Sequence, residues 1–146
     1  MQRLAALWVV LVGALAAMMP AWAADDATQP VKVVYHLDEG LVQASNALRN
    51  IRNHLDADPS AKIVVVAHAA GIDFLLKDAK DKNGNSYATT VEDLMLAGVD
   101  FRVCNVTLTS RNIDPKRLLP DVRIVPSGVA EVARLQSREG FAYIKP

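Results

Sequence analysis

The chain has 146 residues, 16 of them Lys or Arg and 16 Asp or Glu, so its formal net charge is zero. That balance excludes a nucleic-acid binder held by a basic face, and an acidic disordered tail. The apolar residues are unevenly placed: 19 of the first 23 are apolar, and the remaining 123 are about 45% apolar, ordinary for one globular domain with a proper core.

Met1-Gln2-Arg3 makes a short basic start, Leu4 to Met19 is apolar apart from Gly13, and Ala21-Trp22-Ala23 supplies small residues three and one positions before a cut. These parts predict a secretory signal peptide over 1–23, cleaved after Ala23 to leave Ala24 or Asp25 at the N-terminus. The apolar run falls short of the roughly 20 residues a membrane span needs. The expected product is exported, periplasmic in a Gram-negative host, and free of the membrane once cleaved. Residues 24–30 are polar and predicted to be flexible, and 31–146 form the domain.

Val31 to Leu37 reads as a strand rich in β-branched residues. Asp38-Glu39-Gly40 breaks it, with Asp38 placed to cap the next helix. Leu41, Ala44, Leu48, Ile51 and Leu55 then mark one helix face, with Gln43 and Asn46 on the other side, until Asp58-Pro59 stops the helix. Ile63-Val64-Val65-Val66 has no alternation, which predicts a strand buried on both faces of a parallel sheet. A short helix around Ile72 to Leu76, an exposed loop over Asp78 to Tyr87 and a helix from about Thr89 to Ala97 follow. Asp100 to Asn105 is the third strand. The segment Val106 to Arg111 is ambiguous. Asp114-Pro115 opens a short helix through Leu119. Val122 to Pro126 is the fourth strand. Ser127 caps a helix through about Arg138, with Val129, Val132 and Leu135 inward. Phe141 to Ile144 is a short last strand. Strands alternating with helices predict an α/β three-layer α/β/α sandwich around a five-stranded, mostly parallel sheet.

Ligands of such sheets bind beyond the carboxyl ends of the strands. The first strand ends at Tyr35-His36, the second at His68, the third at Cys104-Asn105 and the fourth at Pro126-Ser127. Parallel strands would bring His36, His68 and the only cysteine to one edge. A cysteine beside a histidine or a helix start has a lowered pKa, and its thiolate is both nucleophile and metal ligand. Asn105, Thr107, Thr109, Ser110 and Arg111 add hydroxyls, an amide and a cation, so the edge could hold a persulfide, a sulfenate or a small anion. Each candidate also has an ordinary structural explanation: a buried cysteine packing as a small hydrophobe, strand-end histidines donating single hydrogen bonds, Arg111 as a surface charge. His54, late on the first helix, reads as a solvated residue. Gly71 lacks the triple-glycine pattern of a dinucleotide site.

Val31 to His36, the strand Ile63 to His68 with its trailing Gly71, Gly98-Val99-Asp100-Phe101-Arg102-Val103-Cys104-Asn105 and Val125-Pro126-Ser127-Gly128-Val129 resemble the DsrE/DsrF-like family of sulfur-relay proteins, and the closing Gln136 to Pro146 is similar to the tail of its exported branch. The resemblance covers nearly all of the expected mature chain. It implies a homo-oligomer, trimer or hexamer, and a cysteine at the position of Cys104 that accepts sulfur as a persulfide. It also implies a basic residue after the cysteine, here Arg111. The leading expectation is an exported sulfur carrier or sulfurtransferase with Cys104 as nucleophile, His68 or His36 favouring the thiolate, and Arg111, Asn105 and Ser110 orienting the anion. Its partners would be a small sulfur compound or a partner-protein thiol, with no cofactor. Two rivals stand beside it: a non-catalytic binding or assembly module, and a metal site built from Cys104, His36 and His68.

Overall fold

The computed structural model describes residues 29–146, so the predicted signal peptide and most of the flexible stretch lie outside the described residues. The elements run in the order β1 (Lys32–Leu37), α1 (Leu41–Ala57), β2 (Lys62–Ala67), a 3-10 helix (Ala69–Leu75), α2 (Tyr87–Leu96), β3 (Asp100–Cys104), α3 (Asn105–Ser110), a 3-10 turn (Pro115–Arg117), β4 (Arg123–Val125), α4 (Gly128–Glu139) and β5 (Ala142–Ile144). All five strands are parallel, in the order β4-β3-β2-β1-β5.

That order places the helices. From β1 to β4 the chain steps one strand at a time in one direction, and right-handed crossovers then put α1, α2 and α3 on one face. The step from β4 back to β5 runs the other way and puts α4 on the opposite face. The two faces differ in size. The larger core gathers Val33, Tyr35 and Leu37 of β1, Ile63, Val65 and Ala67 of β2, and Phe101 and Val103 of β3 against α1, α2 and the 3-10 helix. The smaller one is Val34, Val64 and Val66 against Val132 and Leu135 of α4. The unbroken apolar run of β2 is explained by this arrangement, since its odd and even positions enter different cores.

Several local expectations need correction. Asp38 caps nothing: Gly40, at φ 94°, stands before α1 with no side-chain cap. The Gln43 side chain takes that part, because its Oε1 accepts the N–H groups of Asp38 and Glu39 at 2.8 and 2.9 Å; it is buried rather than on a solvated face. His54 is not free in solvent, since its Nδ1 meets the Tyr35 hydroxyl at 3.0 Å. Ambiguous residues after Cys104 form the six-residue helix α3. Val129, expected inside, is 60% exposed, because the α4 stripe turned to the sheet runs through Gly128, Val132 and Leu135, and Val129 lies round the helix from it.

Gly71 is explained by a close approach. A Cβ there would run into the carbonyl of Leu37. The 3-10 helix lies flat across the end of β1, with the Leu37 carbonyl accepting the His68 N–H at 3.0 Å. Only a residue without a side chain lets the chain leave β2 this tightly.

Candidate functional site

The site grows from strand periodicity. In β1, Val34 and His36 point to the α4 face; in β3, Arg102 and Cys104 do, while Phe101 and Val103 enter the larger core. The register aligns Leu37 with Ala67 and Ala67 with Val103, so the next residues, His68 and Cys104, stand side by side. Tyr143 of β5 pairs with Val34 and shares that face.

Gly128, the first residue of α4, closes the site from above. A Cβ at Gly128 would lie 3.1 Å from the His68 Cβ and 3.2 Å from the Cys104 Cβ. The absence of a side chain lets the helix start settle onto the cysteine. Ser127 caps it, its Oγ accepting the Ala130 N–H at 3.4 Å. Cys104 is itself the residue preceding α3, so two helix N-termini converge on one sulfur.

The electrostatics follow from that convergence. Burial pushes the Cys104 thiol up, but the backbone N–H groups of Gly128, Thr107 and Val106 and the Thr107 hydroxyl outweigh it, leaving the thiol below its ordinary value. Thr107 is fixed in its role: its Oγ1 accepts the Ala69 N–H at 2.9 Å, which frees its proton for the sulfur. The groups that do most to lower this thiol are therefore amides and a hydroxyl, not an imidazole. The cysteine is only 5% exposed.

The histidines turn to each other. His36 Nε2 lies 2.6 Å from His68 Nε2, and His36 Nδ1 meets the Tyr143 hydroxyl at 2.7 Å. Burial, then the neighbouring His68, holds His36 below the usual imidazole range, against the opposing pull of Asp38. Burial would raise the Asp38 carboxyl, but Lys145 and His36 hold it low. Among the described residues, the potential metal-ligating group is His36, Asp38 and His68, whose ligand atoms lie within 4.8 Å of one another; Cys104 is not in it. Asp38, and not Cys104, stands within that distance of the two histidines.

Arg111 is held elsewhere. Its guanidinium donates to the Ala69 carbonyl at 2.9 Å and pairs with Asp73 at 2.7 Å, tying α3 to the 3-10 helix. Ser110 donates to the Thr107 carbonyl at 3.2 Å, and Asn105 is exposed at the start of α3. Behind the cysteine, Arg102 pairs with Asp100 at 2.6 Å and with Glu131 of α4, and Glu131 pairs with Arg134 at 2.8 Å. These bonds fasten α4 to the sheet. An open cleft of about 680 Å³ lined by Ser45, Arg49, Arg52, Asp81 and Tyr87 lies between α1 and α2, on the other face from Cys104.

The fold has known relatives. The DsrE/DsrF-like family model matches residues 14–146. The chain belongs to the DsrE/DsrF-like family. Among solved structures, MTH1491 of Methanobacterium thermoautotrophicum, a protein of unknown function, is 35% identical, with a TM-score of 0.71 over 80% of this chain and 99% of its own. The ychN protein of E. coli shares the fold at 17% identity, with a TM-score of 0.64 over 81% of this chain and 99% of its own. No curated protein matches the chain. DsrE/DsrF-like membership suggests a role of the sulfur-relay type.

Sequence reasoning placed Cys104, His36 and His68 on one edge but passed over Gly128 as a part of the site and gave Thr107 no role of its own. Both had signals: Ser127-Gly128 opens a helix directly after a strand, and Thr107 stands three residues after a strand-end cysteine.

Proposed function

We propose that the protein is an exported carrier of sulfane sulfur, a homo-oligomer that loads one sulfur on Cys104 and hands it to an acceptor thiol. The observation that supports this most is that Cys104 lies between two helix starts, whose backbone N–H donors lower its thiol: it precedes α3, and a Cβ on Gly128 of α4 would stand 3.2 Å from its own. Such donors stabilise a thiolate and any anion that replaces it. The thiolate attacks the outer sulfur of a donor persulfide; the donor S–S bond breaks, the donor leaves as its thiolate, and Cys104 becomes a persulfide. An acceptor thiolate then attacks the terminal sulfur and Cys104 leaves as a thiolate. The exchange is redox neutral and needs no cofactor. His36 and His68 turn to each other and Arg111 to Asp73, so none of these side chains is needed for the thiolate.

The burial of Cys104 favours a second reading, a binding or assembly module in which the thiol is inert. One experiment separates them. Intact-mass spectrometry before and after a polysulfide donor is expected to show one added sulfur, removed by reductant and absent in Cys104→Ser. A native thiol that resists alkylation and takes up no sulfur overturns the carrier and leaves the module.

A further inference from the structure

Beside the cysteine lies a second cluster that the sulfur chemistry does not use. His36 Nε2 and His68 Nε2 point at one place from adjacent strands. Two lone pairs 2.6 Å apart repel, so a proton or a cation has to lie between them. His36 Nδ1 is engaged by the Tyr143 hydroxyl. Donation from Nδ1–H to that oxygen leaves Nε2 as the free lone pair, the arrangement by which outer partners orient ligating histidines. Asp38 follows two residues after His36 and brings a carboxylate oxygen within 4.8 Å of a ring nitrogen of each histidine. Its Oδ1 is buried and receives no directed hydrogen bond, although Lys145 Nζ stands 3.0 Å away. Lys145 has a second partner, Glu39, at 2.9 Å, which can keep it when Asp38 turns away.

We propose that His36, His68 and Asp38 bind one divalent transition-metal ion of the zinc class, with its remaining coordination positions open. Two imidazoles and one carboxylate are the donor set that suits borderline ions of this kind. Ion–nitrogen bonds of about 2.1 Å in a tetrahedral shell put the two nitrogens about 3.4 Å apart, so the imidazoles need to part by roughly 0.8 Å. Both rings are half-buried rather than locked in the core. The ion sits beside the sulfur-bearing edge and does not depend on it: Cys104 is no ligand.

Calorimetric titration of the mature full-length protein with Zn2+ tests this, with circular dichroism confirming that each variant is folded. One ion per chain is expected. His68→Ala, His36→Ala and Asp38→Asn are each expected to weaken binding by about 10-fold or more, and Tyr143→Phe by about 10-fold. Cys104→Ser is expected to leave it unchanged. Lys145→Ala is expected to tighten it several-fold by removing the competing cation, a direction that a general loss of structure would not produce. Binding that survives both histidine substitutions is adventitious surface binding and overturns the proposal, as does no binding at all. Binding abolished by Cys104→Ser overturns it in favour of a thiolate site. None of these outcomes bears on sulfur transfer, which the mass experiment reads separately.

Discussion

Phe101 and Arg102 are neighbours in β3 and face opposite sides of one sheet. Phe101 is fully buried, with Phe74 edge-on at 6.1 Å, inside the larger core. Arg102 is also buried, but its neighbours are Asp100 and Glu131. The first face is a continuous apolar layer covered by three helices. The second is apolar only at its centre, where Val34, Val64 and Val66 meet α4. Towards the carboxyl edge it becomes His36, His68 and Cys104. One thin helix covers that face, so polar groups at its rim keep partners that a thicker layer would exclude. The thicker face makes the fold; the thinner one carries the candidate site.

Substitutions on the two sides sharpen this contrast. Phe101→Ala is expected to cost most, about 3–5 kcal/mol, from lost apolar contact and the cavity left behind. Denaturant unfolding measures it. The pH profile of Cys104 alkylation should stay put while the variant remains folded; a shifted profile would mean that the two faces are not separable.

Glu131→Gln comes next. It leaves Arg102 with Asp100 alone and costs about 2 kcal/mol, less than severing every partner of a buried ion. Its effect should also appear at the sulfur. A looser α4 holds the Gly128 N–H less firmly over Cys104, so the alkylation midpoint moves to higher pH. An unchanged midpoint would show that α4 is seated by Val132 and Leu135 without help from the ion pairs.

The smallest effect is Thr107→Val, about 1 kcal/mol, from the unpaired Ala69 N–H. It removes one donor from the thiolate and raises the Cys104 pKa. The sign for stability follows from linkage. In the native protein the folded thiol lies below its unfolded value, so its contribution is absent below the folded pKa. It grows as pH rises through the window between the two values and is complete above the unfolded one. Thr107→Val narrows that window, and Cys104→Ser removes it. Unfolding measured from roughly pH 6 to 9 spans the window around an unperturbed thiol near 8.5. A wild-type stability flat across it would mean that the amides do not hold a thiolate.

Much of this was legible in the residues. The alternation of strands and helices, the double burial of Ile63 to Val66 and the arrival of three chemical residues at one strand edge follow from patterns of local periodicity and from right-handed crossovers. What escaped was set by contacts between distant segments. Gln43 looks like a helix-surface residue, yet Asp38 and Glu39 need its oxygen. Val129 looks like a core residue, yet the buried stripe of α4 runs through Gly128, Val132 and Leu135 and leaves it outside.

The sequence by itself determined the class of fold and the identity of the edge residues, because side-chain period and the alternation of strands with helices are short-range patterns. Only the tertiary structure decided which of those residues meet. His68 stands beside both Cys104 and His36, and periodicity treats the two neighbours alike; the ring turns to His36. The start of α4 lies 24 residues after Cys104 in sequence and reaches the sulfur only because β4 sits beside β3 and Gly128 has no side chain. The Val106 and Thr107 amides are local to Cys104, but the Gly128 amide that also lowers the thiol is announced by no local pattern, since every residue but proline carries one and only packing decides where it points.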